Sequence, residues 1–201
     1  YGGKALRLGA GSIRQAIEEG IAIVYQELTL IPLMTVGENI FLGKEPRNGP
    51  SIDWNKLYSD TDELLGRYKL SVASHEIVKN LGVGQMQMTE IAKALSEKAD
   101  ILILDEPTSA LSEAEVDKLM EILRTLKAMG VTCIYISHKL EEFFRITDTV
   151  TVLRDGKVVT TAPTKEPVIS RTNVRIRPSS WNVLVSFAGS LKFSRNALAS
   201  A

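Results

Sequence analysis

Ile101-Leu102-Ile103-Leu104-Asp105-Glu106-Pro107-Thr108 is the stretch from which the rest of this chain can be read. Four apolar residues in a row predict a short strand buried on both faces. The strand delivers two adjacent carboxylates at its carboxyl end, and a proline then stops the ladder. Asp and Glu side by side in that place suit phosphate chemistry, with one carboxylate holding Mg²⁺ and the other polarising water. The same pattern also fits a core strand whose acids merely solvate its end.

Upstream, Leu81-Gly82-Val83-Gly84-Gln85 runs into Met86-Gln87-Met88-Thr89-Glu90-Ile91-Ala92-Lys93-Ala94-Leu95. Two glycines leave backbone N–H groups open at a predicted helix start, where the helix dipole favours an anion. The helix places Met88, Ile91, Ala92 and Leu95 on one apolar face at i, i+3, i+4, i+7. Gly-x-Gly before a helix is by itself more often a tight turn than a phosphate cradle. Its position just ahead of the Asp-Glu strand favours the cradle.

Three more stretches extend the pattern. Tyr25-Gln26-Glu27 closes the apolar run Ile21–Val24, Ser109-Ala110-Leu111-Ser112 follows the Asp-Glu strand, and Ile136-Ser137-His138 ends the apolar run Val131–Ile136. In this order the five stretches resemble the motifs of the ATP-binding subunits of ABC transporters. Tyr25–Glu27 looks like the Q-loop and Leu81–Gln85 like the signature, whose usual form is Leu-Ser-Gly-Gly-Gln. Ile101–Glu106 looks like the Walker B strand, and Ser109–Ser112 like the D-loop, with Ser112 where many relatives carry Asp. His138 looks like the switch histidine. Val83-Gly84-Gln85 with Met88–Lys93, together with Tyr135–Lys139, is similar in particular to the first cassette of the double-cassette ATPases that drive import of ribose, xylose, galactose and related monosaccharides. The second cassette of that family tends to read Leu-Ser-Gly-Gly-Asn-Gln-Gln, which is absent here.

The resemblance implies an α/β fold: a partial P-loop NTPase core sheet over residues 1–160 with an inserted α-helical subdomain at about 50–97. It implies ATP and Mg²⁺ as cofactors, with Asp105 and Gln26 at the metal and Glu106 activating the attacking water. His138 and Gln26 complete the catalytic set. Leu81, Gly82, Val83, Gly84 and Gln85, with Ser109, Ala110 and Leu111, are the implied nucleotide contacts, the signature acting on ATP held by the opposite cassette. The implied partners are a second cassette, membrane permease subunits docking at Glu27–Thr35 and the helical part after it, and indirectly a sugar-binding protein. The implied place is cytoplasmic, peripheral at the inner face of the plasma membrane. The sugar is not legible, beyond a lean towards a pentose.

No Gly-x-x-x-x-Gly-Lys-Ser/Thr occurs in the 201 residues; Gly2-Gly3-Lys4 and Gly9-Ala10-Gly11-Ser12 lack the spacing. Lys4–Leu8 reads as a strand that would follow a phosphate-loop helix, so the chain reads as a fragment starting inside the domain. Two function classes therefore stay open: the ATPase subunit of a monosaccharide importer, or a non-catalytic half-cassette that only offers an interaction surface. A soluble ABC ATPase of the translation or DNA-repair type fits less well, because the Val83–Lys93 and Tyr135–Lys139 patterns are not expected there.

Lys and Arg together number 24, equal to Asp and Glu, so bulk electrostatics do not favour nucleic acid as a partner. Cys133 is the single cysteine and sits in an apolar run, which reads as a small core residue in a reducing compartment. No apolar run approaches the roughly 18 residues of a membrane span. His75 has no motif around it and reads as a surface histidine at a helix end.

Periodicity gives the remaining elements. Ser12–Glu19 predicts a short helix capped by Ser12 and stopped by Gly20. Gly49, Pro50 and Ser51 mark a loop, and Trp54–Tyr68 is helical with Leu57, Leu64, Leu65 and Tyr68 inward. Ser112-Glu113-Ala114-Glu115 opens a helix with the stripe Val116, Leu119, Met120, Leu123 and Leu126, ending at Gly130. Leu140–Ile146 is a further helix, and Asp155-Gly156 turns a hairpin that joins Val150–Leu153 to Lys157–Val159. From residue 161 onward, six basic residues face one acid, Glu166, and no period persists beyond the short apolar stretch Trp181–Phe187. This atypical basic tail, residues 161–201, is expected to be poorly ordered: an unrelated C-terminus or, less simply, a nucleic-acid- or lipid-binding arm.

Overall fold

The computed structural model describes residues 13–97, 99–137, 146–154, 157–164 and 182–187. The chain enters through α1 (Ile13–Glu18) and β1 (Ile21–Val24), then a loop and the short helix α2 (Val36–Ile40). A two-stranded ribbon, β2 (Arg47–Asn48) with β3 (Ser51–Ile52), precedes α3 (Trp54–Arg67). A 3₁₀ turn at Val78–Asn80 leads to α4 (Val83–Leu95), β4 (Ile101–Asp105), α5 (Glu113–Ala128) and β5 (Thr132–Ser137). β6 (Thr149–Arg154), β7 (Lys157–Pro163) and β8 (Asn182–Phe187) complete the described elements.

The main sheet has the order β1-β4-β5-β8-β6-β7. β1, β4 and β5 are parallel, in the register Val24↔Leu104 and Leu104↔Tyr135. The helices that connect them make the crossovers a parallel sheet requires. β6 and β7 form the expected hairpin, with Arg154 paired to Lys157, although its turn residues 155–156 lie outside the described residues. β8 is antiparallel to both β5 and β6 and fills the slot between them, so the sheet is mixed. Part of the tail thus joins the sheet: β7 runs on to Pro163, and the stretch 182–187 supplies β8.

The pleat explains the burial. Side chains alternate across a strand, and Ala22, Val24, Leu102, Leu104, Cys133 and Tyr135 are buried together in one core cluster. On the other face Ile103, Ile134 and Ile136 are half-buried and Ile23 is 37% exposed. The strand Ile101–Leu104, expected to be covered on both faces, is therefore fully covered on one. Cys133 lies in the covered face, and burial pushes its thiol up to about 12. It behaves as a core hydrophobe.

Three α-helices lie between β1 and β4. α3 starts at Asp53, whose carboxylate accepts the Lys56 N–H at 3.0 Å, and buries Leu57, Thr61 and Leu65 at i, i+4, i+8. Leu64 and Tyr68, also expected inward, pack at the edge of the core. α2 has only five residues and no period, but Thr35 and Glu38 close a reciprocal capping box across it (3.2 and 2.7 Å). It packs against α3 and α4 and buries Val36 and Ile40 completely. α4 begins at Val83, which places the whole Val83-Gly84-Gln85 run in its first turn. His75 lies in a turn rather than at a helix end, its ring stacked on Tyr58 with centroids 3.7 Å apart.

Candidate functional site

Parallel pairing brings three of the expected residues to one edge. In open α/β sheets, ligands bind outside the carboxyl ends of the strands. Asp105 is the last residue of β4, paired with Ile136 of β5, and Gln26 follows β1 two residues beyond Val24, the partner of Leu104. Gln26 is exposed, while Asp105 and Glu106 are half-buried. Glu106 has φ 43°, the left-handed region that a residue with a Cβ rarely adopts. Its N–H reaches across to the Ile136 carbonyl at 2.9 Å, so β5 fixes the residue just as the backbone turns. His138 lies outside the described residues.

After Glu106 the chain folds into a compact turn. Ser109 N–H donates to the Glu106 carbonyl at 3.2 Å and Leu111 N–H to the Thr108 carbonyl at 3.3 Å. Thr108 is buried, with its hydroxyl 3.4 Å from the Tyr135 hydroxyl. Ser109 and Ala110 are left exposed and Leu111 half-buried.

The glycine motif sits at a second corner. Leu81 is buried and anchors the turn; Gly82 is the N-cap of α4, and its N–H donates to Gln85 Oε1 at 3.3 Å. Gly82, Val83 and Gln85 are exposed, and Gly84 is buried against α5. The Gly84 N–H donates to Glu115 Oε1 at 3.1 Å, and Glu115 Oε2 accepts the Ser112 N–H at 2.9 Å and the Ser112 hydroxyl at 2.7 Å. These bonds, the Ser112 hydroxyl first, hold the Glu115 carboxyl below the usual carboxylate range. Beside them an open cleft of about 520 Å³ runs between α4 and α5, lined among others by Lys69, Gln85, Lys118 and Arg124. Glu115 escaped the sequence reading as a site residue, although its spacing from Ser112 is a capping-box signal.

A third group orders the segment after Gln26. Glu90 of α4 is buried and accepts both the Thr29 N–H and the Thr29 hydroxyl. Asn39 of α2 accepts the Ile31 N–H at 2.7 Å and donates to the carbonyls of Ile31 (3.1 Å) and Thr35 (2.9 Å). The segment is thereby held with Leu33 77% exposed at its tip. Neither Glu90 nor Asn39 was singled out from sequence.

Among the described residues, no cluster of three or more His, Cys, Asp or Glu side chains could cage a metal. Mg²⁺, where it binds with a nucleotide, keeps much of its water and needs one or two carboxylates beside substrate phosphates. Asp105, half-buried at a strand end, offers such a ligand.

This arrangement of helices and parallel strands is the fold of ATP-binding cassettes. The chain aligns with cbiO1 from Clostridium perfringens, part of an ABC transporter complex, at a TM-score of 0.66 and 25% identity over 81% of this chain and 64% of that one. It aligns with a dimeric ATP-binding cassette bound to ADP and phosphate at a TM-score of 0.63 and 25% identity, over 79% and 69% of the two chains. The family model described as ABC transporter matches residues 3–109, just over half of the chain, which belongs to that family. It is 61% identical over 150 residues to a xylose import ATP-binding protein of Thermoanaerobacter pseudethanolicus, covering 75% of this chain and 30% of that protein. It is 47% identical over 152 residues to a galactose/methyl galactoside import ATP-binding protein of Mannheimia succiniciproducens, covering 76% and 30%. The chain thus spans about a third of the length of these relatives.

Proposed function

We propose that this chain carries the catalytic edge and the signature of an ATP-hydrolysing subunit that drives monosaccharide import. The observation that carries the reading is the convergence of Gln26, Asp105 and Glu106 at one carboxyl edge, in a chain so similar to a xylose import ATP-binding protein. Phosphoryl transfer to water needs positioning and charge stabilisation more than covalent help. Asp105 would hold Mg²⁺ through its water shell, and that ion, bound with ATP, supplies charge neutralisation on the phosphates. Glu106 orients the attacking water and accepts its proton, and the left-handed backbone pinned to Ile136 aims the carboxylate. Gln26 senses the same water or metal from β1 and passes the state of the nucleotide to the ordered segment that follows it. His138 donates to the γ-phosphate. Leu81, Gly82, Val83, Gly84 and Gln85, with Ser109, Ala110 and Leu111, face nucleotide held by a second cassette. The segment Glu27–Thr35, with exposed Ile31 and Leu33, docks on a membrane permease at the cytoplasmic face. Xylose is the favoured sugar on likeness alone.

The 201 residues hold no Gly-x-x-x-x-Gly-Lys-Ser/Thr, whose amides and lysine cradle the phosphates, so this chain alone is expected not to hydrolyse ATP. That absence also favours a second reading, a non-catalytic half-cassette offering only its signature surface. Joining the phosphate-loop segment of the Thermoanaerobacter relative ahead of residue 1 and measuring phosphate release separates the two. Turnover supports the enzyme; its absence in a folded, ATP-binding protein leaves the interaction module.

A further inference from the structure

Glu115 stands outside every motif above, yet one carboxylate reaches two of them. Its Oε1 accepts from Gly84 at the first turn of α4, and its Oε2 accepts twice from Ser112, the residue that opens α5. Gly84 and Ser112 are separated by most of α4, all of β4 and the turn after it. The carboxylate also lies close against the Gly84 backbone. A Cβ built on Gly84 would lie 2.4 Å from Glu115 Oε1 and 2.7 Å from its carboxyl carbon, closer than real contacts come. Glycine at 84 thus leaves room for the Glu115 carboxylate to come this close to the α4 backbone. Each amide is an open donor at a helix N-terminus, where an anion is favoured, and one anion serves both.

We propose that Glu115 is a positioning residue that clamps the Gly82–Gln85 turn to the Ser109–Ser112 turn, so that the two nucleotide-facing motifs move as one body. The proposal rests on the reading of those motifs given above. Cutting the clamp would let the α4 turn and the α5 turn reorient separately, which slows the step needing both and leaves ATP capture by the phosphate loop unaffected. Glu115→Gln keeps an acceptor for Gly84 but loses the charge and cannot take both Ser112 donors with its amide nitrogen.

The clamp has a spectroscopic signature in the two amides it joins. In a nitrogen–proton NMR titration of this chain, the Gly84 and Ser112 amides should move together through one midpoint below the usual carboxylate range. In Glu115→Gln both movements should vanish, whereas any acid unfolding would persist in the variant. Different midpoints for the two amides, or movement that survives the substitution, would overturn the clamp. In the protein carrying the added phosphate-loop segment, Glu115→Gln should lower kcat about fivefold with KM for ATP within twofold. Unchanged kcat alongside the expected titration would leave a clamp without a role in turnover and overturn the positioning claim. If the unsubstituted protein fails to turn over ATP, the functional reading falls, and with it the role in turnover, while the titration still decides the clamp.

Discussion

Of Gln26, Asp105 and Glu106, only Glu106 takes a left-handed backbone. A left-handed backbone at a residue with a Cβ costs about 1 kcal/mol, and such strain persists where the surroundings enforce it. Here the enforcing contact is the bond from its N–H to Ile136. Sequence showed the adjacent carboxylates but not this turn, because a positive φ at Glu has no composition signal. With the phosphate-loop segment joined, Glu106→Gln should retain ATP binding and lower turnover by about two orders of magnitude or more, read by single-turnover phosphate release. Unchanged hydrolysis removes Glu106 from the role of base. Glu115 adds a pH dependence of its own. Its carboxyl is held below the usual range, so its contribution to stability is complete above about pH 4.5 and lost as pH falls through the lowered value. Comparing urea midpoints of Glu115→Gln and the unsubstituted chain should show a gap at neutral pH that narrows on acidification.

At the scale of elements, two helices end alike with different residues in the critical place. After α5, Gly130 sits at φ 88°; its N–H reaches the Lys127 carbonyl, and the Val131 N–H reaches the Leu126 carbonyl, each at 3.0 Å. After α3, Lys69 takes φ 55°, with its N–H on the Gly66 carbonyl (3.2 Å) and the Leu70 N–H on the Leu65 carbonyl (2.9 Å). Both are Schellman ends, favoured by glycine. Lys69→Gly should raise stability by about 0.5–1 kcal/mol and Gly130→Ala should lower it by a similar amount, measured by urea unfolding. Gly130 was legible as a helix stop; Lys69 was not, since lysine gives no hint of left-handed backbone. α4 and α5 were legible because their apolar stripes run for several turns. α2 was not, since five residues show no period, although Thr35-x-x-Glu38 is a capping-box pattern. β2 and β3 have two residues each, below any pattern, and the Gly49-Pro50 loop between them was what could be read.

At the scale of the molecule, the order of motifs was legible because each ends a strand or starts a helix, where residue choice is narrow. What tied them together was not. Glu90 reaches Thr29 and Glu115 reaches Gly84, 61 and 31 residues away, and such long-range bonds leave no local pattern. β8 shows the same gap: six residues from the far end of the chain enter between β5 and β6, a long-range pairing that nothing near them announces. The held segment after Gln26 makes a testable surface. Leu33→Cys should cross-link to a cysteine on the cytoplasmic coupling helix of a sugar permease, and a cysteine on the exposed side of α5, at Arg124, should not. The reverse pattern would mean that the docking face is misassigned.

These 201 residues contain no phosphate-cradle motif, and the proposed catalytic edge and signature are not expected to bind ATP without one. Calorimetric titration with Mg²⁺–ATP, on the chain alone and on the same chain with the phosphate-loop segment joined, tests it directly, with Glu106→Gln in both to suppress hydrolysis. Saturable binding is expected only in the joined protein. Binding by the chain alone tighter than about 100 µM, near −5.5 kcal/mol, would contradict it.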